Sequence, residues 1–373
     1  MQGIRQKSTK FRKTSVILMH SIVKKWQKFV AALIVVMACI GCSSVPSISY
    51  NPWQVINVPT DAKLLDIGFT GNSQHGYLVG GNATLLETND GGENWQPLKL
   101  ELDDPRYRFN SVSFSGQEGW IAGEPSLLLH TTDEGKSWSR ISLSEKLPGN
   151  PIAVTAIGEN TAEMATDVGA IYQTTDGGQN WKANLEAAVG VVRNLERSPD
   201  GKYIAVSAKG SFYSTWEPGQ NAWQPHNRNS SRRLENMGFT NDGQMWLLAR
   251  GGQVQFSDPT KPEEWLEGEY PELSTSWGLL DLAYRTPEEI WVGGGSGNLL
   301  RSTDGGKTWE KDRDVETVAA NLYKIVFLAL IKALSLAIAV FYSNITPNQR
   351  QQQPQRLNYT QLWMYSPEES CKL

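Results

Sequence analysis

Short apolar runs bounded by glycine recur along the chain, among them Gly76-Tyr-Leu-Val-Gly80, Gly119-Trp-Ile-Ala-Gly123 and Ile290-Trp-Val-Gly293. Their β-branched and aromatic residues predict strands. A polar turn then follows each run: Thr88-Asn-Asp-Gly-Gly-Glu-Asn-Trp95, Thr131-Thr-Asp-Glu-Gly-Lys-Ser-Trp138, Thr174-Thr-Asp-Gly-Gly-Gln-Asn-Trp181 and Ser302-Thr-Asp-Gly-Gly-Lys-Thr-Trp309. All four copies fit Ser/Thr-x-Asp-x-Gly-x-x-Trp, the Asp box. Its Asp accepts backbone N–H bonds within the turn. Its glycines supply positive φ, and its Trp buries a large apolar area. Asp90, Trp95, Asp133, Trp138, Asp176, Trp181, Asp304 and Trp309 are therefore expected to be structural.

The tryptophans extend the pattern. Trp53, Trp95, Trp138, Trp181, Trp223, Trp265 and Trp309 are separated by 42, 43, 43, 42, 42 and 44 residues. This period is that of a four-stranded propeller blade. Trp53 has no strands before it in a mature chain, so Asn51-Pro-Trp-Gln-Val-Ile-Asn57 is expected to close the last blade from outside. The inner strand of that blade is expected at Asn321-Leu-Tyr-Lys-Ile-Val-Phe327. The fold class predicted is an all-β, seven-bladed propeller.

The end of the chain breaks the pattern. No glycine occurs after residue 306, and Leu328 to Val340 is an unbroken apolar run apart from Lys332 and Ser335. Residues 343–373 are rich in Gln and polar residues, which predicts disorder. Three readings stand: a disrupted reading frame near Leu328, a helical tail, or a membrane span over 322–342 that would bury Lys324 and Lys332. The first leaves the last blade incomplete in this copy.

The opposite terminus reads as an export signal. Residues 1–28 hold eight Lys or Arg and no acid, and the apolar run Phe29–Ile40 is too short to span a bilayer. Gly41-Cys42-Ser43-Ser44 then resembles a bacterial lipobox, which implies cleavage before Cys42 and a lipid on it. An uncleaved anchor and plain secretion are the alternatives, and Met19 is a second candidate start. The organisation expected is a signal peptide over 1–41, an attachment linker and closing strand over 42–60, a propeller over 61–327, and an aberrant or disordered tail over 328–373.

Composition narrows the chemistry. The chain has 373 residues with 34 Gly and 14 Trp, and a net charge of −4 that gives no case for nucleic-acid binding. Its cysteines are 39, 42 and 371, so the body has no cysteine pair for a disulfide or metal site. The four histidines lack ligand spacing. No cofactor, metal or catalytic set is expected.

Charge is nonetheless polarised. Residues 193–250 hold eight Lys or Arg against five Asp or Glu, whereas residues 251–290 hold two against nine. Lys209 and Arg250 follow equivalent strands of adjacent units, and Arg228, Arg232 and Arg233 lie in the connection between them. Arg193 and Arg197, four residues apart on one strand, are expected to share a side. Arginine favours bidentate bonds to carboxylates and stacking on aromatics. The cluster thus reads as a docking patch for a carboxylate-bearing protein segment, or as a solvated face with internal pairs to Glu196 and Glu235.

Several stretches resemble the cyanobacterial and chloroplast photosystem II stability/assembly factor family. They are Gly41-Cys-Ser-Ser44, Asn51-Pro-Trp53, Val112-Ser-Phe-Ser-Gly-Gln-Glu-Gly-Trp120, Leu143-Ser-Glu-Lys-Leu-Pro-Gly149, His226-Asn-Arg-Asn-Ser-Ser-Arg-Arg233, Trp246-Leu-Leu-Ala-Arg-Gly-Gly252 and Ser276-Trp-Gly-Leu-Leu-Asp281. The resemblance covers about residues 41–327. It implies a lipid-anchored propeller on the lumenal side of the thylakoid membrane, with the periplasmic face of the plasma membrane as a second location. It further implies a non-enzymatic role in early photosystem II assembly and repair, binding the newly made D1 reaction-centre subunit through an arginine patch. Arg228, Arg232, Arg233 and Arg250 carry over on matched motifs, followed by Arg193, Arg197 and Lys209. The alternatives are a periplasmic scaffold and an Asp-box glycosidase of the sialidase kind, although the Arg-Ile-Pro motif of sialidases is absent.

Overall fold

A computed structural model describes residues 53–373 apart from 105, 229, 241, 272–277, 314–320, 330–334, 343–359 and 366–373. Cys42 and the signal segment lie outside the described residues, so the lipid expectation is not addressed by the coordinates.

The described residues contain strands and no helix. The strands pair antiparallel into four-stranded sheets. Six sheets each use four consecutive strands, spanning 64–97, 108–140, 151–185, 192–227, 234–265 and 279–311. A further sheet takes its outer strand from Trp53–Asn57 and its other three from Asn321–Ala329, Ser335–Tyr342 and Thr360–Tyr365. The first strands of all these sheets line one central cavity of about 580 Å³. The sheets therefore stand radially about a hub, as in a β-propeller.

The repeated turn forms as its sequence requires. In the turn at 302–309, the Ser302 hydroxyl donates to Asp304 Oδ1 at 2.8 Å and accepts the Gly306 N–H at 2.8 Å. Asp304 also accepts the Thr308 N–H at 2.8 Å and the Thr308 hydroxyl at 2.6 Å. These donors hold its carboxyl down at about 2. Asp90, Asp133 and Asp176 accept the matching bonds in their own turns.

The tryptophan that ends each unit enters the gap between its own sheet and the preceding one. Each of six apolar cores draws on two neighbouring sheets and contains one of these indoles: Trp95, Trp138, Trp181, Trp223, Trp265 or Trp309. Several meet an aromatic of the preceding sheet edge-on. Trp138 lies 6.0 Å from Tyr77, Trp181 lies 5.8 Å from Trp120, and Trp53 lies 5.2 Å from Trp291. Second strands such as Gly76–Gly80 are buried on both faces, because neighbouring sheets cover both.

Each first strand carries a register shift near its start, after Leu64, Phe109, Pro151, Val192, Leu234, Leu279 and Leu322. Such bulges re-aim a side chain. Two residues after these positions stand Asp66, Ser111, Ala153, Asn194, Asn236, Asp281 and Lys324. Several bond to the next sheet. Asp66 accepts the Val112 N–H at 2.9 Å, Ser111 accepts the Val154 N–H at 3.3 Å, and the Asn236 amide donates to Asp281 at 2.9 Å. Asp281 then accepts the Ile325 N–H at 2.6 Å, and Lys324 donates to Asp66. The inner strand of the last sheet is thus held from both sides.

Two segments of the tail are described as strands. The reading of 328–373 as aberrant or disordered, with an incomplete last blade, meets Ser335–Tyr342 paired to Asn321–Ala329, and Thr360–Tyr365 paired to Trp53–Asn57. Trp53 lies opposite Met364. The physical reason lies in composition: Ser-Leu-Ala-Ile-Ala-Val-Phe-Tyr and Thr-Gln-Leu-Trp-Met-Tyr are rich in strand formers, and open sheet edges stand available on either side.

Two outcomes test this account. Trp309→Ala should lower stability by about 3–5 kcal/mol, because a side chain 8% exposed leaves a cavity between two sheets; denaturant unfolding measures it. Burial, with the nearby Glu196 charge, pushes the Asp281 carboxyl up to about 7. A raised carboxyl favours the folded state most at low pH and loses that contribution as pH climbs through 7. Stability should therefore fall between pH 5 and 8 more steeply in the native chain than in Asp281→Asn, read from urea midpoints across that range.

Candidate partner-binding surface

The sheets at 192–227 and 234–265 bring their cations to one end of the ring. Arg193 stands second in the first strand of one sheet, and Arg250 follows the second strand of the next. Lys209 lies in the loop after Tyr203–Ser207, and Arg228, Arg232 and Arg233 lie in the connection between the sheets. Strand starts, second-strand ends and the connections between sheets all fall on the side opposite the turns that hold Asp90, Asp133, Asp176 and Asp304.

One carboxylate organises this surface. Glu235, 18% exposed at its side chain, receives Arg193 Nη1 at 2.7 Å on one oxygen and Arg250 Nε at 3.0 Å on the other. Arg193 also donates to the Leu234 carbonyl at 2.9 Å. Arg228 donates to the Arg232 carbonyl at 2.7 Å, and Arg232 donates to the Arg250 carbonyl at 3.3 Å. The Arg232 guanidinium sits 5.3 Å from the centre of the Tyr270 ring. Burial lowers the Arg228 guanidinium from its ordinary value.

Backbone geometry permits the close approach. Gly251 has φ of +85°, and a Cβ there would lie 2.6 Å from Arg232 Nη1. Gly210 has φ of +66°, and its carbonyl accepts the Leu234 N–H at 2.8 Å. A side chain at either glycine would push the two loops apart.

The structure brings together six of the seven residues expected in the patch: Arg193, Lys209, Arg228, Arg232, Arg233 and Arg250. Arg197 is the correction. Its guanidinium turns to the neighbouring sheet at 151–185, where Nε meets Glu163 at 2.6 Å, while Nη1 donates to the Ser198 carbonyl at 3.0 Å. The register shift between Val192 and Asn194 leaves Arg193 outside the regular pairing, so alternation does not carry from 193 to 197. Of the two internal pairs expected, Glu235 forms and Glu196 instead faces the cavity, where burial raises its carboxyl.

A second polar cluster lies between the sheets at 151–185 and 192–227. Tyr203 donates to Glu163 at 3.0 Å beside Arg197. A tyrosine paired with a glutamate is the nucleophile arrangement of the sialidase alternative. Here the phenol is only 2% exposed, and burial and Glu163 push its pKa far above the ordinary value. Arg197 beside it is bound to the same Glu163. The group serves packing between the sheets at 151–185 and 192–227. Sequence reasoning missed Glu163; it named Glu235 as an internal partner of the cluster, and the structure gives that carboxylate two arginines, Arg193 and Arg250.

Comparison with known proteins places these features in context. The sequence profile of a family described as "Photosynthesis system II assembly factor YCF48" matches residues 45–338. A "Photosystem II assembly lipoprotein Ycf48" of Trichormus variabilis is 80% identical over 307 residues, covering 82% of this chain and 90% of that protein. The protein of the same name from Synechocystis is 64% identical over 310 residues, covering 83% and 91%. Among solved structures, "YCF48 bound to D1 peptide" aligns with a TM-score of 0.80 at 51% identity, covering 87% of this chain and 98% of that one. "YCF48 from Cyanidioschyzon merolae" aligns with a TM-score of 0.72 at 36% identity, covering 84% and 98%.

Glu235→Gln keeps the side-chain shape and removes the charge shared by Arg193 and Arg250. It should lower stability by about 1 kcal/mol, since the pairs are partly solvated. The loss should shrink in high salt, as measured by urea unfolding at two ionic strengths.

Proposed function

We propose that this chain, which belongs to the photosynthesis system II assembly factor family, is a non-enzymatic assembly factor that docks the newly made D1 subunit on its arginine cluster during early photosystem II assembly and repair. The observation that carries this reading is the convergence of Arg193, Lys209, Arg228, Arg232, Arg233 and Arg250 from two adjacent sheets around Glu235. A related solved protein, 51% identical, is described as bound to a D1 peptide, which supports the choice of client.

The scaffold for this docking is a seven-bladed propeller with Asp-box turns, its last blade closed by the strand at Trp53. The recurrent indoles and the shared sheet at the two ends of the chain support that count. Residues 1–41 direct export, and a lipid on Cys42 holds the propeller to the membrane at the lumenal side of the thylakoid. Relatives bearing the name lipoprotein support the anchor. Tethering to the surface from which a membrane protein emerges raises the effective concentration of the two partners, and the cationic cluster steers the encounter. Catalysis has no part in this reading: the Tyr203–Glu163 pair is covered and its phenol protonated.

Arg232→Ala combined with Arg233→Ala should weaken binding of a D1 peptide at least tenfold, equivalent to about 1.4 kcal/mol or more. The effect should be larger at low salt than at high salt. Titration calorimetry on the full chain decides, and unchanged affinity in the double variant would sink the reading.

A further inference from the structure

The cationic surface also bears on the chemistry of its partner. Among the described residues, the large apolar side chains left exposed are Ile157, Val191, Leu266 and Tyr270. Two of them flank the arginine cluster. Val191 is the most open, at 63%, and precedes Arg193 by two residues. Its carbonyl accepts the Ala208 N–H at 3.0 Å, which sets it beside the Lys209 loop. Tyr270, 37% exposed, lies beneath Arg232 on the opposite flank.

A partner recognised by charge alone would leave both groups in water. Covering a valine or aromatic side chain is favourable by roughly 25 cal/mol per Å² of apolar surface. An apolar neighbour would also exclude water from the guanidinium groups between, which strengthens their bonds to a carboxylate. Two guanidiniums already held by Glu235 need little ordering to accept a second carboxylate from outside. Lys209 and Arg233 make no side-chain ion pair or hydrogen bond among the described residues, so both remain available to it.

We infer that the surface selects an extended peptide segment in which a carboxylate stands between apolar side chains, the carboxylate meeting the arginines and the apolar groups covering Val191 and Tyr270. This deepens the docking reading above and rests on it for the location of the site.

The test uses the full chain and two synthetic peptides of equal length and charge, neither taken from a photosystem. One alternates aspartate with leucine and phenylalanine; the other alternates aspartate with serine and glycine. At physiological salt the first should bind at least tenfold tighter. Val191→Ser combined with Tyr270→Ser should bring its affinity down to that of the second peptide, whose own affinity should stay unchanged in the variant because the arginines remain in place. Equal affinities, binding of neither peptide, or a preference that survives the double variant would each overturn the inference. The D1 peptide assay reports separately on the client, so the two readings fail independently.

Discussion

An indole wedged between adjacent sheets is the contact on which the ring depends. A four-stranded sheet buried on one face alone cannot account for second strands such as Gly76–Gly80 and Ile290–Gly294, which are buried throughout. Both faces need cover, and the neighbouring sheets provide it. The wedge sets how closely they approach. Trp309 reaches back to Trp246 and Leu248 of the preceding sheet, and Trp138 reaches back to Tyr77. An aromatic ring buries about 150–250 Å² and prefers edge-on or offset neighbours, so each wedge fixes separation and orientation together. The repeated turn serves this contact: the Trp95 and Trp309 indoles donate to the glycine carbonyls of their own turns at 3.0 Å. Turn and wedge are one device.

The hub faces an opposing constraint. Wedges operate at the outer part of each sheet, while inner strands converge on a polar cavity. Asp66, Glu196 and Asp281 enter this space together, and burying like charges is unfavourable. Lys324 offsets them. Burial works against its ammonium, but Asp66, Glu196 and Asp281 prevail and raise its pKa. The compensation has a topological consequence. Lys324, which with Arg197 lines the cavity, belongs to the inner strand between the first and the sixth sheets, so the strand that joins these two sheets also carries the ammonium that faces the three carboxylates. The same lysine that makes a membrane span at 322–342 unfavourable is the residue that a ring requires there.

How much of this is legible in the sequence depends on the period of the signal. The tryptophan spacing survives a full repeat and exposes the propeller architecture. Turn chemistry is local, so Asp90, Asp133, Asp176 and Asp304 can be assigned without coordinates. The hub belt escapes notice because a bulge shifts the phase: Asp66, Asn236 and Asp281 look like the ordinary polar half of alternating strands. That shift also separates Arg193 from Arg197. The tail misleads for a different reason. Without glycine punctuation, Ser335–Tyr342 resembles a helix or span, and only the open edge of Asn321–Ala329 makes it a strand.

The position of the arginine cluster follows from the same geometry. At the strand ends on this face, the backbones of two sheets approach closely enough for loop carbonyls to accept guanidinium donors, as with Leu234, Arg232 and Arg250. Arg193 is therefore tied to the sheet neighbouring its own, and Arg228 and Arg232 tie the connection to itself and to the loop at Arg250. Such ties remove rotamer freedom before any partner arrives, and less entropy is lost on binding. A lysine makes no planar fork and would hold such a junction less rigidly. This accounts for arginine at most positions that bridge the sheets, while Lys209, which bridges nothing among the described residues, remains an ammonium at the end of a flexible stem. The junction between blades thus does two tasks with one set of residues: it secures the packing of two sheets, and it presents their charges in a fixed array.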